Sequence, residues 1–261
     1  MPCRNYFPFI LILLLSACVA GPKSVDQKTV SQIEKVLVVA LEPIPLSAPA
    51  LLSSKSTVAM FPEMAYGSAG GAVLFGILLA SEASEAMPAR EVASKTAEQL
   101  LSESDPWLPT IVLAGLARDH LLEGGIGRAA VDPDVRPIPG LEDRSITFLM
   151  SNWGRPIGEW YGSDPTELDY SSIPDDVDAV LEVVLANYTY PHSEVYLTVF
   201  LRLVDPETKS VLAKTTKYTD YKVGRPQEAF ADNGLIFKER FASSGGELIR
   251  KCLASIGLIE N

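Results

Sequence analysis

The sequence predicts an α/β fold, with α+β as the alternative: a mixed sheet that ends in an antiparallel meander and is covered by helices, an amphipathic C-terminal one among them. Three observations carry this. Val36 to Leu41 is a continuous apolar run rich in β-branched residues, as in a strand buried on both faces. Residues 179–218 hold three strand-like runs divided by turn signals. Residues 234–256 repeat apolar side chains every three or four positions, the period of a helix with one covered face.

In chain order, Val30 to Lys35 reads as a helical turn or extended lead-in, and Pro43, Pro45 and Pro49 end the first strand because proline cannot donate to a ladder. Residues 67–79 are glycine-rich and apolar. They are too few to span a bilayer, so the spacing favours a closely packed buried or oligomer-facing helix; a membrane-inserting segment is the alternative. Pro88 to Glu103 places Val92, Thr96, Leu100 and Leu101 near one face of a helix. A second helix runs from Pro109 to Glu123 and stops at Gly124-Gly125. Residues 126–176 are irregular and proline-rich, with one candidate strand at Ser145 to Met150.

Ala179 to Thr189 reads as a central strand. Glu194 to Val204 alternates, with Val195, Leu197, Val199, Leu201 and Leu203 toward the core and Tyr196, Thr198, Phe200 and Arg202 on the other face. Asp205 to Ser210 is a turn, and Val211 to Tyr218 is the return strand. In the closing helix, Phe241, Leu248, Ile249, Cys252, Leu253 and Ile256 form the apolar stripe. Gly245-Gly246 weakens its middle by about 1 kcal/mol per glycine, which marks a place for a kink or break.

The chain has 261 residues, 22 Lys+Arg against 33 Asp+Glu, and a formal charge of −11. No nucleic-acid partner is expected, because phosphate neutralisation needs a basic face. With 47% hydrophobic and 21% charged residues, the composition is that of a folded globular chain.

Function is most legible in the first eighteen residues. Arg4, the apolar run from Phe7 to Leu15 and the small residues Ser16 and Ala17 have the three-part pattern of a secretion signal, over residues 1–17. Leu15-Ser16-Ala17-Cys18 resembles the lipobox of bacterial lipoproteins at all four positions. The resemblance implies diacylglycerol on the Cys18 sulfur, cleavage just before it, and acylation of the new amino terminus. The expected mature chain is a lipidated Cys18 with a tether over residues 18–29, then one periplasmic domain over 30–261. Two or three acyl chains hold such a protein to its membrane far more firmly than one. The absence of Asp after Cys18 points, by the same resemblance, to the inner leaflet of the outer membrane, facing the periplasm. Of the three cysteines, Cys3 leaves with the signal and Cys18 carries lipid, so Cys252 remains alone as a small core side chain.

No catalytic constellation stands out. The two histidines, His120 and His192, read as ordinary helix and turn residues, and no Gly-x-Ser-x-Gly elbow presents a nucleophile. No cofactor is expected, and the spacing of His and Cys offers no metal site. Asp175, Asp176 and Asp178 read as a solvated strand boundary. The segment from Asn152 to Gly162 interleaves Trp153, Arg155, Trp160 and Tyr161 with Gly and Pro. This is the chemistry of a partner-contact site if exposed, and of a cap on the sheet if buried.

Leu201 to Leu212, a strand ending in Asp205, a turn with Thr208, and a return strand opening on Val211-Leu212, resembles the hairpin of envelope lipoproteins related to the curli-secretion lipoprotein and the peptidoglycan-synthase activators. A glycine often follows the Thr in those hairpins, whereas Lys209 stands here. The resemblance implies an α/β domain used for assembly. The expected role is therefore a non-enzymatic binding or assembly component of the envelope, with the membrane and an envelope protein or a second copy as partners. An envelope hydrolase acting on glycan or peptide through carboxylates is the alternative.

Overall fold

The computed structural model describes residues 22–42, 107–141, 154–189, 194–224, 226–229 and 231–260. The candidate site residues Cys18 and Trp153, the other histidine, His192, and the runs at 67–79, 88–103 and 145–150 lie outside them.

The expected mixed sheet with helices is present. A short helix, α1 (Gln27–Val30), leads into β1 (Lys35–Ala40); α2 (Pro109–Glu123) and β2 (Arg128–Val131) follow, then α3 (Gly154–Gly162). The meander is β3 (Ala179–Thr189), β4 (Glu194–Val204) and β5 (Val211–Lys222), and α4 (Pro226–Ala229) precedes the closing helix α5 (Ala231–Ser255). The sheet order is β2-β1-β3-β4-β5, with β1 parallel to both neighbours and the last three strands antiparallel.

One face of the sheet is covered by α2 and α5. Val36, Val38 and Ala40 of β1 meet Leu113, Ala117 and Leu121 of α2, while Phe241, Ile249, Cys252 and Leu253 of α5 complete the same core. The helical stripe read from the sequence does this work, and α5 continues through Gly245-Gly246 without a break. A Cβ on Gly245 would lie 2.7 Å from Leu113 Cδ2, so the glycine lets α2 and α5 approach closely where a larger residue would not fit. Trp107 docks edge-on against Phe237 and Phe241, at centroid distances of 5.9 and 5.2 Å.

The second face departs from expectation. Alternation in β4 suggested one covered face, yet Phe200, Arg202 and Val204 are as buried as their neighbours. Residues 154–177 lie across that side. Ile157, Trp160, Leu168, Tyr170 and Val177 pack there with Val39, Leu41, Val180, Val184 and Phe200 as a second apolar core. The irregular segment expected at 126–176 thus contains β2 and α3, and its later part is a lid over the sheet.

Two further differences bear on the molecule's edges. Within the span expected to be a leash, Lys23 pairs antiparallel with Lys214 of β5, with N–H···O distances of 2.9 and 2.8 Å, and the Val25 N–H donates to Ile256 O at 3.0 Å. The polar composition of that span concealed this, because backbone pairing with an edge strand asks little of the side chains. In the β4–β5 turn, Lys209 holds a φ of +60°, the left-handed conformation in which a glycine is favoured.

Candidate functional site

The meander carries three charged residues in one row. Glu182 of β3 stands opposite Arg202 of β4, which stands opposite Lys214 of β5. Glu182 and Arg202 sit in mostly apolar strands and Lys214 at the apolar start of β5, and all three are buried: Glu182 and Arg202 are wholly inaccessible. Period two sends all three to the second face, beneath residues 154–177.

Arg202 Nε lies 3.2 Å from Glu182 Oε2. Glu182 Oε1 accepts from the Thr166 hydroxyl at 2.9 Å and the Tyr170 hydroxyl at 2.6 Å. On its other side Arg202 donates to the Trp160 carbonyl and, at 3.0 Å, to Ser163 Oγ, and its guanidinium lies 4.9 Å from the Trp160 ring centroid. Lys214 repeats the pattern one strand over: Nζ donates to the Tyr161 carbonyl at 3.1 Å and sits 5.0 Å from the Tyr161 ring. The C-terminal turn of α3 therefore has carbonyls held by two cations, which complement that end of a helix. Asp164 Oδ1 accepts from the Val211 N–H at 3.0 Å and fastens the following loop to β5.

Burial pushes the Glu182 carboxyl above its ordinary range, although Arg202, Tyr170 and Thr166 pull the other way. Tyr170 is raised by burial and by the Glu182 charge beside it. Lys214 is lowered, first by burial and then by the neighbouring Arg202. Tyr161 is pushed up to about 12 by burial. The arrangement clamps residues 154–177 onto the sheet through charge-assisted hydrogen bonds.

The residues singled out in the sequence do not converge on this cluster as a group. Trp160 is buried in the second core, so it acts as a cap on the sheet and not as an exposed contact. Tyr161 is half-buried and meets Phe200 edge-on at 4.7 Å. Arg155 is exposed and pairs with Glu159 one turn on, at 2.8 Å. His120 is held between Glu123 Oε2 and the Gly246 carbonyl, each at 3.1 Å. Asp178 Oδ2 accepts from the N–H groups of Glu34 and Lys35 at 2.9 and 2.8 Å, and Asp176 pairs with Lys35 at 2.5 Å, so these acids organise the start of β1. Sequence reasoning missed Glu182, Arg202 and Lys214. A signal existed, because a charge at the middle of an apolar strand must find a partner if it is buried.

A cleft of about 500 Å³ opens elsewhere, between α1 and the C-terminal end of α2, where Ser31, Glu34 and Arg128 contribute its polar groups. Among the described residues, no cluster of His, Cys, Asp and Glu is arranged to hold a metal. Among them, too, no helix is long and apolar enough to cross a membrane.

Comparison with protein families finds none that matches the chain, and comparison with curated proteins finds no match. Among solved structures, the chain is similar to the PelC dodecamer from Paraburkholderia phytofirmans in space group P6, at 13% identity and a TM-score of 0.38, over 90% of this chain and 94% of that one. A point variant of the same dodecamer, in space group C2, is similar at 13% identity and a TM-score of 0.36, over 91% and 95%.

Proposed function

We propose that this chain is a lipid-anchored protein of the bacterial envelope that acts as a binding or assembly component and not as an enzyme. One observation carries the reading: the four-residue match to a lipobox at Leu15 to Cys18 ends five positions before Lys23, which pairs with the edge of the sheet. A signal, a lipidated cysteine and a domain docked directly behind it form one continuous design. The acyl chains hold the protein at the inner leaflet of the outer membrane, and the α/β body faces the periplasm. There it meets an envelope protein or a second copy of itself.

Glu182, the most deeply buried carboxylate among the described residues, supports a structural use of charge. Its contacts are Arg202, Thr166 and Tyr170, all from this chain, and solvent does not reach it.

The test is mass analysis of the protein isolated from bacterial membranes, alongside a Cys18→Ser variant. The expected product begins at residue 18 with a diacylglyceryl thioether, and the variant leaves the membrane fraction. A full-length or unlipidated product that stays water-soluble overturns the anchoring. Chemical crosslinking in intact cells, followed by identification of the crosslinked chains, then tests the assembly role; recovery of the monomer alone counts against it.

A further inference from the structure

We infer that the β5 edge of the sheet is the membrane-facing side of the body and that the β2 edge points away from the bilayer. This rests on the lipid anchor proposed above, but it adds an orientation that the anchor alone does not supply.

The argument is one of reach. Lys23 is fixed to β5 by two backbone hydrogen bonds with Lys214, and Val25 is fixed by a third to the end of α5. Lys23 Nζ also donates to the Val211 carbonyl at the start of the same strand. Residue 18 is five positions earlier, so even a fully extended chain places the lipid-bearing atom within about 17 Å of that edge. Because the bridge is antiparallel, the chain comes to Lys23 travelling against β5. The opposite edge, β2, is four strand positions away, about 19 Å further at ordinary strand spacing. A leash this short cannot let the body turn over freely, and the points nearest Lys23 stay nearest the headgroups.

Charge is mixed along this edge, where β5 exposes Lys217 and Lys222 with Asp220 between them. Cations near the start of β1 and on the β4–β5 turn already have carboxylates close by: Lys35 and Arg128 with Asp176, at 2.5 and 4.0 Å, and Lys209 with Asp169 at 4.0 Å. The tether length is the determinant.

The experiment uses the mature lipoprotein, beginning at Cys18, purified from membranes and reconstituted in phosphatidylcholine vesicles that carry a headgroup dye. Cys18 is blocked by its thioether and Cys252 is buried, so one introduced cysteine is the only reactive thiol. Labels go at Ser210→Cys and Lys217→Cys near the bridge, and at Ala130→Cys and Asp134→Cys on and beyond β2; all four positions are exposed. Energy transfer to the headgroup dye is expected to be at least about twofold stronger for the first pair, given the spacing of the strands. Two positions per side keep the comparison intact if one variant fails to fold. A flexible Gly/Ser insertion of ten residues before Pro22 should erase most of the contrast. Equal or reversed transfer on a protein whose Cys18 is lipidated overturns the orientation and leaves the anchor standing. An unmodified Cys18 overturns the anchor, and the orientation with it.

Discussion

Glu182 and Arg202 face each other across β3 and β4 with Nε and Oε2 3.2 Å apart, and neither has any solvent-accessible surface. The two partners are unequal. Glu182→Gln leaves the Arg202 guanidinium buried with no counter-charge, and an arginine cannot give up its proton. Arg202→Met leaves a carboxyl that can take up a proton, and the Trp160 carbonyl keeps the Ser163 hydroxyl as a donor at 2.8 Å. Both single variants are therefore expected to cost about 3–5 kcal/mol at neutral pH, with Glu182→Gln no cheaper than Arg202→Met. The double variant Glu182→Met with Arg202→Met should recover most of the loss. Urea unfolding measures all three; a Glu182→Gln cost well below that of Arg202→Met would refute the asymmetry.

The same carboxylate gives a pH dependence of definite sign. Burial raises the folded pKa of Glu182 above its ordinary 4.5. Its contribution is fully present below the unfolded value and is lost as pH rises through the folded one, because the unfolded chain releases the proton first. Wild type should lose stability relative to Glu182→Gln between about pH 4 and the folded value, and the difference should then level off. Exposed carboxylates with lowered pKa values, such as Asp26 and Asp169, work in the opposite direction but are shared by both proteins. Parallel unfolding curves for the pair across pH would contradict the assignment.

Much of this architecture was readable from periodicity. The apolar run of β1, the alternation of β4 and the three-and-four spacing of α5 each declare which face is covered, because the pattern reports burial directly. β2, α3 and the one-turn helices α1 and α4 escaped. β2 is the four-residue edge strand Arg128–Val131, half of it exposed, and is too short to show a period. α3 contains Pro156, Gly158 and flanking glycines, which signal a turn, although Pro156 is itself buried there with Ile157 and Trp160. Coverage of the second face was illegible for a related reason. Arg202 and Lys214 look solvent-directed by residue type, and only the lid at 154–177 reveals them as interior.

Cys252 offers a simple probe of the α5 packing. It is buried against the sheet, and burial pushes its thiol up to about 12. A thiol in that state presents almost no thiolate at pH 8 and no path for a reagent. Native protein with Cys3 and Cys18 both replaced should fail to react with a chromogenic disulfide reagent over hours, and should release one equivalent promptly on addition of denaturant. Stoichiometric reaction in the native state would show that α5 does not hold as described.

The two adjacent glycines of α5 should respond oppositely to the same substitution. A Cβ at Gly246 meets Leu116 Cδ2 at 3.5 Å, an ordinary contact, so Gly246→Ala is expected to stabilise by about 0.5–1 kcal/mol through the unfolded chain. At Gly245 the same atom stands 2.7 Å from Leu113 Cδ2 inside the core. Overpacking of about 1–3 kcal/mol then outweighs the propensity gain, and Gly245→Ala should be neutral to destabilising. Thermal unfolding of the two variants side by side decides the matter, and a gain at both positions would mean that α2 and α5 are less tightly opposed.

Lys209 occupies the left-handed position of the β4–β5 turn. Its φ of +60° puts a side chain where the left-handed conformation crowds the Cβ against its own carbonyl. The backbone has reasons to stay there: Lys209 N–H donates to Asp205 O at 2.8 Å, and its carbonyl accepts from the Thr166 N–H at 2.9 Å, which ties the turn to the lid. The lysine ammonium contributes little in return, being 4.0 Å from Asp169 and largely solvated. Lys209→Gly should therefore relieve a local cost of about 1–2 kcal/mol and give back part of it in unfolded-state entropy, for a net gain of roughly 0.5–1 kcal/mol. Lys209→Ala separates the two effects, because it discards the ion pair and keeps the crowded Cβ. It should be no more stable than the wild type, and a gain equal to that of the glycine variant would assign the effect to lost charge instead of to backbone conformation.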